Sequence, residues 1–225
     1  MNNNISIKKI LEDFIEIVVK PDLFNNSFTE DKIIYNEFSL QHELAKFLER
    51  KLPENYLVQF EKPIGGGKAR KKECDIVIKK KGETHHKIAI ELKFPTKNSP
   101  IKKFFKFLED IKFMEEIGQQ EEFDETYCFV VASHIYHDAN AKYNFRSLND
   151  NNGIKRKYYE MFRVHDGKKI YIKNFNGEVG NIYPEKVREK DKNKKQYQPI
   201  KLKDKYETEW IKISKEYKYY ILKVK

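Results

Sequence analysis

Cysteine is scarce in this chain of 225 residues. Cys74 and Cys128 are its only cysteines, too few for a disulfide framework or for a zinc site built from cysteines. No apolar run approaches the length of a membrane span, and the N-terminus lacks the basic, apolar and small-residue regions of a signal peptide. We therefore expect a soluble, intracellular protein of a reducing cytoplasm.

Positive charge is in excess, because 45 lysines and arginines outnumber 35 acidic residues and give a formal net charge of +10. Basic residues cluster around 68–72 and between Lys186 and Lys205, where nine of them accompany three acidic residues. Such clusters favour a polyanionic partner and suit contacts with phosphates. Lysine, asparagine, isoleucine and tyrosine are also abundant together, as in proteins of AT-rich genomes, so composition accounts for part of the charge.

Residues 73–94 carry the strongest structural signal in the sequence. Two short runs rich in isoleucine and valine flank a charged turn that contains glycine, which predicts an antiparallel hairpin. If the turn centres on Glu83, cross-strand partners have numbers that sum to 166, and Asp75 lies opposite Glu91. Side chains alternate between the two faces of a strand. One face then carries Asp75, Val77, Lys79, Ala89, Glu91 and Lys93, and the other Ile76, Ile78, Ile88, Ile90 and Leu92.

The polar face of this hairpin suits metal chemistry. Two carboxylates one strand spacing apart can share a hard divalent cation, which fits Mg²⁺, an ion usually held by one or two carboxylates, waters and phosphate oxygens. Lys93, two residues after Glu91, would lie beside the metal and could orient or deprotonate a water or neutralise charge on phosphate. The alternative is the solvated polar face of an ordinary hairpin, but Val77 and Ala89 between the charges indicate a partly covered face.

Asp75 followed by Glu91-Leu92-Lys93 resembles the active-site signature of the PD-(D/E)XK nuclease superfamily, the restriction-endonuclease-like fold. Cys74 stands where the family name has proline. The resemblance implies an α/β fold with a mixed central sheet flanked by helices, in the order helix, three strands, helix, strand. It also implies Mg²⁺, or Mn²⁺ in its place, bound by Asp75, Glu91 and the backbone carbonyl of Leu92, with Lys93 acting on the attacking water.

The helix before the hairpin often supplies a further glutamate in this superfamily. Apolar periodicity predicts such a helix from about Ser39 until Pro53 closes it. Glu43 lies on the side of its apolar stripe, and an acid there is costly to bury without a partner. The resemblance makes Glu43 a catalytic residue that binds the metal directly or through water; the alternative is a carboxylate at the solvent-exposed rim.

Two more helices are predicted around these elements. An amphipathic helix begins at Ile7 and ends at Pro21. Ser99 and Pro100 open another, whose apolar stripe runs to Gly118 and leaves Asp110 on the surface. The following run TYCFVVAS is a buried strand, parallel to one of the hairpin strands because a helix connects them.

We divide the chain into a nuclease core with its N-terminal helix, residues 1–142, and a basic C-terminal region with short strands, residues 143–225. The C-terminal region either extends the central sheet or forms a separate subdomain, and it is expected to contact DNA. The predicted DNA-binding residues are Lys68, Arg70, Lys71, Lys72, Lys192, Lys194 and Lys195.

Three functional hypotheses follow. The first, which the resemblance implies, is a Mg²⁺-dependent endonuclease acting on double-stranded DNA at the nucleoid in the bacterial cytoplasm. It would be a type II restriction enzyme, a homodimer with a cognate DNA methyltransferase on a separate chain. No helicase, ATPase or methyltransferase motif is present. The second is a repair, junction-resolving or phage-defence nuclease of the same fold, which reads DNA structure. The third is a catalytically inactive nucleic-acid-binding protein.

Overall fold

The predicted hairpin is part of a larger mixed sheet. The computed structural model describes residues 5–25, 32–64, 72–84, 87–95, 100–119, 123–133, 170–172, 202–204, 206–208 and 210–225. Strands β2 (Lys72–Lys80) and β3 (Lys87–Lys93) pair antiparallel, with Ile76 opposite Ile90 and Lys79 opposite Lys87. These partners have numbers that sum to 166, so the predicted register is confirmed.

Six of the described strands form this sheet. Its other members are β1 (Tyr56–Ile64), β4 (Phe123–Ser133), β7 (Ile211–Lys212) and β8 (Tyr217–Lys223), and the spatial order is β1-β2-β3-β4-β8-β7. The pairing of β3 with β4 is parallel, as predicted, because α4 (Pro100–Gly118) connects them across one face of the sheet; the other pairings are antiparallel. The C-terminal strands β7 and β8 thus extend the central sheet, whereas β5 (Ile170–Ile172) and β6 (Tyr206–Thr208) pair with each other.

Helices cover both faces of the sheet. The α1 helix (Ile7–Phe14) and the α3 helix (Glu37–Lys51) pack on the isoleucine-rich face of the hairpin, whose Ile76, Ile78, Ile90 and Leu92 are fully buried. The α4 helix covers the opposite face, where Val77 and Ala89 are also buried. Each buried aliphatic side chain of this kind contributes about 1.5–3 kcal/mol of transfer free energy. The predicted α/β architecture, a mixed sheet flanked by helices, is confirmed.

The N-terminal helical region continues past the proline that was predicted to end it. After α1 the chain forms one π-helical turn (Ile15–Val19) and then α2 (Lys20–Asn25), which contains Pro21. A proline inside a helix has no N–H to donate, and its ring crowds the carbonyl four residues earlier. In the π-helical turn the N–H of Lys20 bonds to the carbonyl of Ile15, five residues back. This wider turn accommodates Pro21 without ending the helical region.

No helix within the described ranges is long and apolar enough to cross a membrane.

Candidate functional site

Asp75, Glu91 and Lys93 lie together on the covered face of the hairpin. The paired residues of β2 and β3 end at Ile76 and Ile90, and the same register continued by one residue brings Asp75 opposite Glu91. Glu91 is 4% exposed, and the N–H of Leu92 donates to Oδ2 of Asp75 at 2.6 Å. This face is therefore closed by packing rather than open to solvent.

The ammonium of Lys93 lies among four carboxylates. Its Nζ is 3.3 Å from Glu37 Oε1, 3.4 Å from Glu91 Oε1, 3.5 Å from Asp110 Oδ2 and 3.9 Å from Asp75 Oδ2. It also donates to the backbone carbonyl of Leu92 at 2.6 Å. We call these five side chains, Lys93, Glu37, Asp75, Glu91 and Asp110, the Lys93 cluster.

The helix before the hairpin contributes Glu37 to this cluster, not Glu43. Glu37 contacts Lys93 through Oε1, and its Oε2 accepts the N–H of Phe94 at 3.1 Å. Glu43 instead pairs with Lys46 at 2.8 Å on the same helix. Six residues along an α-helix are a rotation of about 240°, so two glutamates with this spacing point in different directions. The structure does not bring the predicted Glu43 into the cluster.

Glu37 lies outside the predicted helix, which starts two residues too late. The observed N-cap is Asn36, whose side chain accepts the N–H of Ser39 at 2.7 Å, while the Ser39 hydroxyl accepts the N–H of Asn36 at 3.0 Å. Asparagine is a preferred N-cap residue, so this start could have been read from the sequence. With Asn36 as the cap, Glu37 lies in the first turn of α3. This N-terminal end of α3 is the one that reaches β3.

Asp110 was predicted on the surface, and this prediction is wrong. Asp110 is 5% exposed and faces Lys93 from α4. It precedes Ile111 and lies four and seven residues before Met114 and Ile117, which are fully buried. The helical period places Asp110 at the edge of this buried stripe. Because buried acids need a counter-charge, the ion pair with Lys93 explains how the position is tolerated.

Gln41 connects the helix to the backbone of Asp75. Its buried side-chain amide donates to the carbonyl of Asp75 at 2.7 Å and to Oε1 of Glu61 at 2.9 Å. Glu61 has a φ of 41°, in the left-handed region that residues other than glycine rarely adopt. Glu61 belongs to β1 and lies opposite Asp75 of β2. The pairing of these strands is interrupted only there, between the pairs Phe60–Ile76 and Lys62–Cys74. The backbone of β1 is thus strained directly opposite Asp75, whose own backbone is held by Gln41.

Phe94 fixes the end of β3 that carries Lys93. Its backbone N–H is held by Glu37, and its ring stacks on Tyr217 of β8 with ring centroids 6.0 Å apart and planes at 8°. Two elements distant in sequence, the start of α3 and strand β8, therefore hold the residue next to Lys93.

Burial and charge act in opposite directions on the two central ionisable groups. Burial raises the pKa of Asp75 to about 6, although Lys93 and the N–H of Leu92 favour its ionised form. Burial alone would lower the pKa of Lys93, but Asp110, Glu91, Glu37 and Asp75 together raise it well above its ordinary value. Lys93 is therefore a firmly held ammonium at neutral pH.

The donor groups of the cluster fit a hard divalent cation. Four carboxylates around one ammonium leave a formal charge of −3 when all are ionised. Asp75, Glu91 and the carbonyl of Leu92 offer only oxygen ligands, the type that Mg²⁺ prefers. Among the described residues, no three His, Cys, Asp or Glu side chains stand in the arrangement of a ready metal centre. The ammonium of Lys93 lies among the carboxylates and donates to the Leu92 carbonyl.

Asp75 should make the protein less stable as the pH rises from about 4 to about 7. The folded protein holds the Asp75 proton with a pKa of about 6, compared with an ordinary value of 3.8. Between these values the folded state binds more protons than the unfolded state, so the free energy of unfolding falls as the pH increases. At about 1.4 kcal/mol for each pKa unit, the full effect is about 3 kcal/mol.

The Asp75→Asn variant tests this. The amide cannot ionise but keeps an oxygen that can accept the N–H of Leu92, so the variant should lose most of this decrease and be at least as stable as the wild type above pH 7. Urea denaturation in EDTA across this pH range measures the effect, with the exposed Asp124→Asn as control. Parallel pH profiles for wild type and Asp75→Asn would contradict the assignment.

Most predicted DNA-binding residues lie outside the described part of the chain. These are Lys68, Arg70, Lys71, Lys192, Lys194 and Lys195. Lys72 is the first residue of β2, and its side chain is likewise not described.

Comparisons of the chain with protein-family models, with curated proteins and with solved structures gave no match. The functional conclusion therefore depends on the residues of the Lys93 cluster.

Proposed function

We propose that the protein is a Mg²⁺-dependent endonuclease that hydrolyses phosphodiester bonds in double-stranded DNA. The observation that carries this proposal is the Lys93 cluster, in which a protonated lysine and four carboxylates converge at the end of β3. The net charge of −3, which the four carboxylates and the ammonium have together, suits a divalent cation, and the cation would in turn bind a phosphate. The excess of basic residues in the chain suits a polyanionic substrate.

The order of the elements supports the same proposal. The chain runs through α3, the strands β1, β2 and β3, the helix α4 and the strand β4. This is the order of helix, three strands, helix and strand that the resemblance to PD-(D/E)XK nucleases implies. Asp75 lies on the second of the three strands, Glu91 and Lys93 lie on the third, and Glu37 comes from the preceding helix.

Asp75, Glu91 and the carbonyl of Leu92 would hold the cation, and Glu37 would support it from α3. A bound cation would supply Lewis acidity and an activated water for attack on phosphorus. Lys93 keeps its proton, because the surrounding carboxylates raise its pKa. Its ammonium would therefore orient the water and neutralise charge on the phosphate, and a role as general base is disfavoured. Gln41 would keep the backbone of Asp75 in place.

The biological role that we propose is that of a type II restriction enzyme acting as a homodimer on a palindromic site. A nuclease that reads DNA structure would use the same residues, and the cleavage pattern distinguishes the two. Discrete fragments from unmethylated plasmid and phage DNA support sequence specificity, and a smear supports the structure-reading or nonspecific alternative.

Cleavage by two glutamate variants tests the site. With Mg²⁺ the wild type should cut duplex DNA, and with EDTA it should not. Glu37→Gln should slow single-turnover cleavage by roughly 10- to 100-fold, because losing the carboxylate lets Lys93 and Phe94 shift. Glu43→Gln is the matched control on the same helix and should stay within about twofold of the wild type.

Two outcomes would overturn the proposal or its details. Intact binding without divalent-dependent cleavage of any duplex would favour a nucleic-acid-binding protein. A larger loss in Glu43→Gln than in Glu37→Gln would remove Glu37 from the site and return Glu43 to it.

A further inference from the structure

The Lys93 ammonium occupies a position that the proposed cation would need. Nζ of Lys93 is 2.6 Å from the carbonyl oxygen of Leu92 and 3.4 Å from Oε1 of Glu91. Both groups are ligands in the proposed site. A divalent cation and an ammonium at hydrogen-bonding distance from the same oxygen would repel each other strongly. The ammonium must therefore move when the cation binds, and it needs another partner.

Of the four carboxylates around Lys93, Asp110 is best suited to receive the displaced ammonium. Asp75 and Glu91 would have their charges neutralised by the cation. Glu37 already accepts the N–H of Phe94, and its side chain is 45% exposed, so solvent weakens its attraction for Lys93. The Asp110 side chain is only 7% exposed and is carried by α4, on the covered side of the hairpin. A carboxylate buried in this way attracts an ammonium more strongly than an exposed one.

We infer that Asp110 is a positioning residue that holds the Lys93 ammonium away from the Leu92 carbonyl when a divalent cation is bound. This inference depends on the proposed function, because it requires that a cation bind at Asp75 and Glu91. It adds a residue from α4 to the site and gives Lys93 two positions. In one, the ammonium lies on the Leu92 carbonyl; in the other, it lies against Asp110.

The alternative is that Asp110 only joins α4 to the sheet as a buried ion pair. Both roles predict that Asp110→Asn lowers thermal stability, so stability does not separate them. They differ in cation affinity. If Asp110 acts by holding Lys93, its effect on cation binding depends on the presence of the ammonium. If it acts only through its own charge or through folding, the effect is the same without Lys93.

A double-mutant cycle on Mn²⁺ binding separates the two roles. Free Mn²⁺ is measured by electron paramagnetic resonance with the full chain and without DNA, so that no cleavage is needed. Asp110→Asn should weaken Mn²⁺ binding about tenfold when Lys93 is present. Lys93→Met should bind Mn²⁺ more tightly than the wild type, because the competing ammonium is gone. In that background Asp110→Asn should weaken binding by only about twofold.

Glu116→Gln is the matched control, since Glu116 is an exposed acid on the same helix, and it should leave Mn²⁺ affinity unchanged. Purification in the presence of Mn²⁺ compensates for the positive charge that Lys93→Met has lost. If Lys93→Met does not fold, Lys93→Gln provides a second background. Equal effects of Asp110→Asn with and without Lys93 would overturn the inference and leave the proposed function intact. Absence of Mn²⁺ binding to the wild type would instead overturn the proposed metal site.

Discussion

Lys93→Met should reduce Mg²⁺-dependent cleavage by roughly 10²- to 10³-fold, the range expected for losing a group that stabilises charge in the transition state. Methionine has a similar length and fills the same space, but it supplies no charge to the water or to the phosphate. Single-turnover cleavage of duplex DNA at saturating Mg²⁺ measures the loss. Saturating Mg²⁺ excludes weak metal binding as the cause of a slower reaction. The variant should in any case bind the cation more tightly than the wild type.

The same substitution should also lower the free energy of unfolding in EDTA by about 3–5 kcal/mol, the cost of leaving buried charges without their partner. Four carboxylates lie within 3.9 Å of Lys93, and its side chain is only 16% exposed. Addition of Mn²⁺ should restore part of this stability, because the cation replaces the lost positive charge. The exposed Lys212→Met is the control for a surface lysine.

Lys93→Arg separates the two effects of Lys93. A guanidinium keeps the positive charge among the carboxylates, so most of the stability should remain. Its planar, longer head group cannot occupy the position of Nζ, so cleavage should still be strongly reduced. Wild-type cleavage by Lys93→Met would exclude Lys93 from the chemistry, and wild-type cleavage by Lys93→Arg would show that only its positive charge is needed.

Glu115→Ala should destabilise the fold by about 3–5 kcal/mol, because the carboxylate of Glu115 accepts several hydrogen bonds in a buried position. Oε1 accepts the N–H groups of Lys203 and Asp204 at 2.7 and 3.1 Å and the hydroxyl of Tyr206 at 2.9 Å. Oε2 lies 3.3 Å from Nζ of Lys112. One side chain of α4 thus holds the segment that leads into β6, and its removal takes away the acceptor of three hydrogen-bond donors.

The neighbouring Glu116 provides the control, since it is exposed on the same helix. Glu116→Ala should change the free energy of unfolding by less than about 0.5 kcal/mol. Urea denaturation compares the two variants, and hydrogen exchange of the Lys203 and Asp204 amides shows whether this segment detaches first. Equal stability of Glu115→Ala and Glu116→Ala would show that these hydrogen bonds do not hold the segment.

The sequence alone determined the hairpin and its register. Side chains on a strand alternate with a period of two, so the isoleucines of residues 76–90 fix which face is buried and place Asp75 and Glu91 on the other. A strand parallel to one of the two hairpin strands also followed from the sequence, because the helical period of 100–118 indicates a crossover helix before it. The structure shows that its partner is β3. These features depend on local periodicity, and the spacing of apolar residues within a single stretch of chain is enough to define it.

Only the tertiary structure decided which acids complete the site. Glu37 and Asp110 lie 56 and 17 residues from Lys93 along the chain, and local sequence does not show that either of them faces Lys93. Their roles depend on how α3 and α4 lie across the sheet, which is set by packing between distant elements. An acid at the edge of a buried stripe is tolerated only if its counter-charge comes from another element. The partner of Asp110, the ammonium of Lys93, is carried by β3, so helical periodicity alone could not reveal it.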